Sequence, residues 1–265
     1  MYETLTSLVE RALSGNMRPL EFYLREQSRL PGPRANLELV NELTNLLAAL
    51  VVEQPESVQE LLCYLMSDER QRIVSNTSAE FVILCGIVAM GQCAAACPKW
   101  WGETFEMLGK HACSPLWRVR EGVALAFQRL LPVATQETIN FLMILATQGN
   151  YFQQRAAIAA IAEPGLLYTS NLVNAALEIQ HVILERIHAT LVTERKREDF
   201  RSLRQASGYT VSVVTAAAPE RGFALMHKCA SWGDPDVNWI LRENLKKKRL
   251  AKFVEYTEGL KRLLA

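Results

Sequence analysis

Arginine and aromatic residues recur in a fixed order along this sequence from residue 117 onward. An aromatic residue precedes an arginine by three positions in Trp117–Arg120, Phe152–Arg155 and Trp239–Arg242, and Arg204 holds an equivalent place in the repeat. Aligned guanidinium groups can satisfy carbonyl or carboxylate groups of an adjacent segment. They can equally form an electropositive surface for phosphates or for an acidic partner. The pattern leaves both roles open.

Further cations extend this set toward the end of the chain. In a helix that begins near Pro235, Arg242, Lys246 and Arg249 share one face, with Lys247 beside it. We expect Arg242 to be partly committed to Asp236, which leaves the other cations for an acidic partner; the alternative is a solvated cap that complements the helix dipole. The predicted partner-binding residues are Trp117, Arg118, Arg120, Arg155, Arg204, Arg242, Lys246, Lys247 and Arg249.

Metal or nucleophilic chemistry has weaker support. Cys93 and Cys97 lie four residues apart in an alanine-rich segment, with His111 and Cys113 further on. Zinc sites usually pair cysteines on tight turns, so this spacing favours small-residue packing, and we predict no metal and no cofactor. The sequence has no nucleophile elbow and no phosphate-binding loop. We interpret the mixed charges over residues 194–201 as a solvated surface with weak local ion pairs.

The segments that carry these residues have helical periodicity. Arg120 and Arg155, and again Arg204 and Arg242, are about 35 to 38 residues apart, the length of two antiparallel helices and a turn. The longer interval from Arg155 to Arg204 predicts an insertion or longer loop near residues 180–196. We predict one all-α, right-handed superhelix over residues 1–265, in which residues 1–34 can form an irregular cap. Its four to five units span about 36–68, 75–110, 115–147, 151–194 and 197–265.

Composition narrows the class of protein. The 265 residues are 49% hydrophobic, with a formal net charge of +1, so any basic surface must be local. The N-terminal residues lack the pattern of a signal peptide. The apolar stretch over residues 81–97 contains Gly86, Gly91 and Gln92, which favours a buried helix over a membrane span. We expect a cytoplasmic protein with six reduced cysteines and no membrane association.

The order of an acidic or small residue, an aromatic residue, Val or Ile, Arg and a run of alanines resembles the second helix of HEAT repeats. The resemblance implies stacked helix pairs. It also implies a ladder between neighbouring units, built from an Asp and an Arg six residues apart. Asp236–Arg242 keeps this spacing, and Glu198–Arg204 keeps a version of it, whereas the units around Arg120 and Arg155 have lost the acid.

A second resemblance is to DNA glycosylases of the AlkD-like kind, which are built of HEAT-like repeats with Trp-x-x-Arg helices. Those enzymes use a catalytic Asp, and this sequence has no Asp between residues 69 and 198, so Glu103 or Glu121 would have to substitute. We therefore predict a non-enzymatic binding or scaffold module whose concave face binds a protein partner. The alternative is a DNA-binding protein or a glycosylase that acts on alkylated bases.

Overall fold

The computed structural model describes residues 4–67 and 73–264, and helices make up 77% of them, with no strand in these two ranges. The all-α class predicted from the sequence is confirmed. The α-helices of the described residues are α1 (Leu5–Leu13), α2 (Arg18–Glu26), α3 (Leu37–Leu50), α4 (Pro55–Met66), α5 (Ser78–Ala96), α6 (Trp101–His111), α7 (Trp117–Leu130), α8 (Thr135–Gln148), α9 (Tyr151–Ile161), α10 (Ser170–Ala189), α11 (Glu198–Ala217), α12 (Pro219–Ala230), α13 (Pro235–Leu245) and α14 (Val254–Leu263).

The chain forms two compact units, Met1–Ala134 and Thr135–Ala265, here called the N-unit and the C-unit. In the N-unit, α3, α5 and α7 pack side by side as one layer, and α4 and α6 pack against them. Residues 5–26 form two short helices where the sequence suggested an irregular cap. Thr4 caps α1 by accepting a hydrogen bond from the amide of Ser7, and Pro19 lies in the first turn of α2.

Helix α5 is the centre of the N-unit and is buried along most of its length. It approaches α7 closely because glycines lie at the contact. A β-carbon at Gly91 would lie 2.7 Å from the backbone of Ala126, and one at Gly122 would lie 2.8 Å from Leu84. Among the described residues α5 alone has the length and composition of a membrane-crossing helix, and 78% of its apolar window is buried in the unit. The expectation of a buried helix over residues 81–97 fits this packing.

In the C-unit, α9, α11 and α13 pack side by side, and α8, α10, α12 and α14 form a second layer against them. Each connection joins one layer to the other, as in a helical-repeat solenoid. The last predicted unit, over residues 197–265, contains two helix pairs rather than one. The long interval from Arg155 to Arg204 is explained mainly by the 20-residue α10, followed by the loop over residues 190–197.

Helix α11 is the centre of the C-unit, and it buries polar side chains as well as apolar ones. Ser207 and Thr210 are completely buried, and the Thr210 hydroxyl donates to the side-chain oxygen of Gln180 on α10. Asn244 of α13 is also completely buried: its amide nitrogen donates to the carbonyl of Ser207, and its oxygen accepts from the backbone amide of Ser212. The side chain therefore enters the backbone hydrogen-bond ladder of α11.

Candidate protein-binding surface

The four repeated arginines lie on alternate helices, as the spacing predicts. Arg120 is on α7, Arg155 on α9, Arg204 on α11 and Arg242 on α13. Their aromatic partners are placed less regularly, since Trp117 begins α7, Phe152 is the second residue of α9 and Trp239 is the fifth residue of α13. The arginines also have different partners, so equal sequence positions do not give them equal roles.

In the N-unit, Arg118 and Arg120 are structural residues rather than surface contacts. Arg118 is only 3% exposed; its guanidinium donates to the carbonyl of Gly32 and lies 4.3 Å from the ring centroid of Trp117. Arg120 is 6% exposed and donates to the carbonyl of Ser114, the residue that stands where the repeat would place an acid. Guanidinium groups that are buried and bonded in this way offer little accessible surface to a partner, which does not favour the predicted binding role of these two residues.

Trp117 is 39% exposed on the surface of the N-unit, where one face of its ring is occupied by Arg118. Phe152 and Arg155 are half-buried on α9 of the C-unit, and both make contacts within the protein. These three residues contribute limited accessible surface.

Arg204 pairs with an acid on the neighbouring helix and not with Glu198, the acid six residues before it. Its guanidinium lies 2.6 Å from a carboxylate oxygen of Asp236 on the adjacent α13 and 3.7 Å from the ring centroid of Trp239. The indole reaches α11 because Gly208 has no side chain, and a β-carbon there would lie 3.2 Å from the ring. Arg204, Asp236 and Trp239 thus join α11 to α13.

Arg195 is the residue of this network that the sequence analysis missed. It forms a two-pronged ion pair with Asp234, at 3.0 and 2.8 Å, and bonds to Asp236 at 2.9 Å. It also donates to the carbonyls of His188 and Thr190 at the end of α10. The mixed charges over residues 194–201 are therefore not simply a solvated surface, because Arg195 links the end of α10 to the start of α13. We call Arg195, Asp234 and Asp236 the interior clamp. No local pattern reveals this, because the acids that Arg195 binds are about forty residues away.

Asp234 also caps α13 by accepting hydrogen bonds from the amides of Asp236 and Val237. Burial opposes ionisation of this carboxyl, but the hydrogen bonds from Arg195 and from the two amides outweigh it. The pKa of Asp234 is consequently lowered from its ordinary value. The carboxylate is held in its charged form by the fold.

Arg242 is not paired with Asp236, contrary to expectation. Its guanidinium donates two hydrogen bonds to the carbonyl of Leu264, which links α13 to the end of α14. Helix α13 ends at Leu245, and residues 248–250 form a separate turn of 3-10 helix. The prediction that Arg242, Lys246 and Arg249 share one face of one helix is therefore wrong.

The cations nevertheless remain concentrated at this end of the C-unit. Arg242, Lys246 and Lys261 surround an open cleft of about 430 Å³ whose apolar floor is formed by Leu245 and Leu264. Each of the two lysines is paired with a glutamate three residues earlier, Lys246 with the half-buried Glu243 at 2.5 Å and Lys261 with the exposed Glu258 at 2.8 Å. Lys247 is half-buried and Arg249 is exposed beside the cleft. We call the residues from Arg242 to Arg262 the basic end.

The groups considered for enzymatic chemistry are dispersed. Glu103 is exposed on α6 and accepts hydrogen bonds from the side chain of Gln59, whereas Glu121 lies 3.6 Å from the buried Arg118. Burial raises the pKa of the Cys93 thiol to about 12. Within residues 4–67 and 73–264, no group of three or more His, Cys, Asp or Glu side chains is arranged to hold a metal ion.

No protein-family model and no curated protein matches the sequence. A designed armadillo repeat protein is 14% identical, with a TM-score of 0.42 over 99% of this chain and 100% of that one. An engineered protein is 14% identical, with a TM-score of 0.40 over 98% of both chains. A designed armadillo repeat protein in complex with the peptide (KR)4 is 13% identical, with a TM-score of 0.40 over 92% of this chain and 99% of that one. Similarity at this level carries no argument about function.

Proposed function

We propose that this protein is a non-enzymatic binding module whose C-unit holds an acidic segment of a partner protein at the basic end. The observation that supports this most strongly is the segregation of charge. From residue 242 onward the sequence contains eight Lys and Arg residues against three Glu residues, whereas the whole chain has a net charge of only +1. The rest of the chain is therefore net acidic, so we expect anions to be attracted to the basic end.

The shape of the cleft favours a peptide over a small ion. Its floor of two leucines can accept an apolar side chain, while Arg242, Lys246 and Lys261 at the rim can bind carboxylates next to it. Tyr256 and Leu263 of α14 are exposed nearby in the sequence and enlarge the apolar component of this end. A segment that alternates acidic and apolar residues matches both components.

Protein is favoured over nucleic acid because acids are interspersed among these cations. Glu243 and Glu258 are bonded to the very lysines that line the cleft, and Lys246 lowers the pKa of Glu243 by hydrogen bonding to it. Carboxylates at these places would repel a continuous phosphate backbone. A peptide can place its acids against the lysines and keep its apolar groups over the leucines.

Charge reversal of Lys246 and Lys247 tests the proposal. The probe is a fluorescent peptide of alternating Glu and Leu residues, titrated by anisotropy across a salt series; a peptide with Gln for Glu is the control. The double variant Lys246→Glu and Lys247→Glu should lose about tenfold or more in affinity at low salt. Its thermal stability should be nearly unchanged because Lys246 is exposed and Lys247 is only half-buried.

The matched control carries Lys99→Glu and Lys110→Glu, two exposed lysines of the N-unit, and should bind like the parent. Equal binding by parent and double variant across the salt series would reject the proposal. If short duplex DNA binds the parent more tightly than the peptide at physiological salt, the DNA-binding alternative is correct instead.

A further inference from the structure

Two histidines stack on one tryptophan at the surface of the C-unit, away from the basic end. His181 and His188 lie seven residues apart on α10, a rise of about 10.5 Å. The ring centroid of Trp232 is 6.5 Å from that of His181 and 5.2 Å from that of His188, and the interplanar angles are 25° and 21°. The indole, carried by the turn between α12 and α13, therefore fills the space between the two imidazoles.

Each imidazole also contacts charged side chains through one nitrogen. Nε2 of His181 lies 2.8 Å from Nζ of Lys228 on α12 and 3.0 Å from a carboxylate oxygen of Glu185, one turn further along α10. Lys228 is itself 3.8 Å from that oxygen. An ammonium group can only donate, so a neutral His181 accepts from Lys228 at Nε2 and carries its proton on Nδ1.

The surroundings of His188 are anchored by the interior clamp. Its Nδ1 lies 3.4 Å from Asp234, whose carboxylate is held by Arg195, and Arg195 also donates to the backbone carbonyl of His188. The charged groups facing the two imidazoles are thus Glu185 from α10, Lys228 from α12, Asp234 from the turn and Arg195 from the loop after α10. Glu178 lies exposed one turn before His181, and burial keeps the nearby Cys229 thiol neutral by raising its pKa to about 12.

We propose that these residues form a pH-sensitive switch on the face of α10 and α12. While His181 is neutral, Lys228 is bonded to it. When His181 takes up a proton at Nε2, that nitrogen becomes a donor to Glu185, and the ammonium at 2.8 Å becomes a like charge that must move away. Acidification therefore exchanges a Lys228–His181 contact for a His181–Glu185 ion pair and leaves Lys228 with Glu185 as its remaining partner.

Protonation of His188 acts in the same direction. Its charge is matched by Asp234, and its imidazolium ring, whose centroid is 5.2 Å from that of Trp232, gains a cation–π contact with the indole. The face gains two positive charges while Trp232 stays in place. Acidification would thus make this face of the C-unit more positive.

The structure supplies a pair of variants with opposite expected effects on His181. Lys228→Met removes the like charge, so the midpoint of the His181 titration should move to higher pH. Glu185→Gln removes the acceptor of the protonated form, so the midpoint should move to lower pH. Each shift should be roughly half a pH unit, the upper range for exposed ion pairs. The measurement is an imidazole nitrogen-to-proton NMR titration between pH 5 and 8. Lys110→Met in the N-unit is the control and should change nothing.

Trp232 gives an independent optical readout. The intrinsic fluorescence of the parent should fall as the pH drops through the histidine range, because imidazolium quenches a stacked indole. Trp232→Phe should remove that titration and leave the helical circular dichroism intact. The proposal is overturned if Lys228→Met and Glu185→Gln move the His181 midpoint in the same direction or not at all. It is equally overturned if the fluorescence titration of the parent survives in Trp232→Phe.

Discussion

Helices α5 and α11 hold corresponding places in the two units, yet they are built on different chemistry. In the N-unit α5 is buried among leucines, valines and alanines, and it meets α7 through glycines that allow near backbone contact. In the C-unit α11 buries hydroxyl groups and receives the Asn244 amide into its own backbone ladder. Close apolar packing thus joins α5 to α7, whereas directed hydrogen bonds and an ion pair join α11 to α13.

The difference shows that two units with the same kind of helix packing can be stabilised by different interactions. Close packing depends on shape, so the contact between α5 and α7 should change little with pH or salt. The clamp around Arg195 and the stack of Arg204 on Trp239 depend on charge, and they lie in the unit that also carries the basic end. The C-unit thus combines its stabilising contacts with its proposed binding role.

Among the substitutions that test this comparison, Asn244→Ala should have the largest effect on stability. The substitution leaves the amide of Ser212 and the carbonyl of Ser207 without their buried partner, which should lower the free energy of unfolding of the C-unit by about 2–4 kcal/mol. Denaturant unfolding followed by circular dichroism measures the loss. Gln205→Ala, at an exposed position on α11, should change stability by less than about 0.5 kcal/mol. Equal stability of Asn244→Leu and the parent would show that the polar link does not stabilise the unit.

A smaller effect is expected from Gly91→Ala in the N-unit. The added methyl group would meet the backbone of Ala126, which cannot rotate away, so we expect a destabilisation of about 1–3 kcal/mol. Gly102→Ala on α6 is the matched control, because no atom lies within 4 Å of its new β-carbon. That control should be neutral or slightly stabilising through helix propensity. Similar stabilities for the two variants would contradict close packing of α5 against α7.

The smallest expected effect is a difference between the two units in their stability at low pH. The pKa of Asp234 is lowered, and the hydrogen bond from Arg197 lowers that of Asp199, both in the C-unit. A carboxyl whose pKa is lower in the folded state contributes stability above its unfolded pKa of about 3.9 and loses it as the pH falls through the folded value. Hydrogen-exchange protection, corrected for intrinsic rates, should therefore decline in the C-unit before the N-unit below about pH 4. Asp234→Asn should weaken the C-unit at pH 7 and narrow this difference in acid.

The sequence predicted the helical class and the alternation of helices because periodicity and proline positions are local signals. It placed Arg120, Arg155, Arg204 and Arg242 on equivalent helices for the same reason. It could not assign their partners, since a carbonyl such as that of Leu264 leaves no trace in a side-chain pattern. The role of Arg195 could not be predicted because Asp234 and Asp236, the acids that it binds, are distant in the sequence. The end of α13 was misplaced because the run of lysines continues a helical pattern past Leu245.

The most direct test of the central claim is a hydrogen-exchange footprint of the whole chain with the alternating Glu and Leu peptide at saturation. The account predicts slower exchange in fragments that cover residues 235–264, with the fragments of the N-unit unchanged. Binding should also leave α5 unaffected, since its amides are already buried in the unit. Protection confined to the N-unit, or peptide binding with no protection near the basic end, would contradict the assignment of binding to the C-unit.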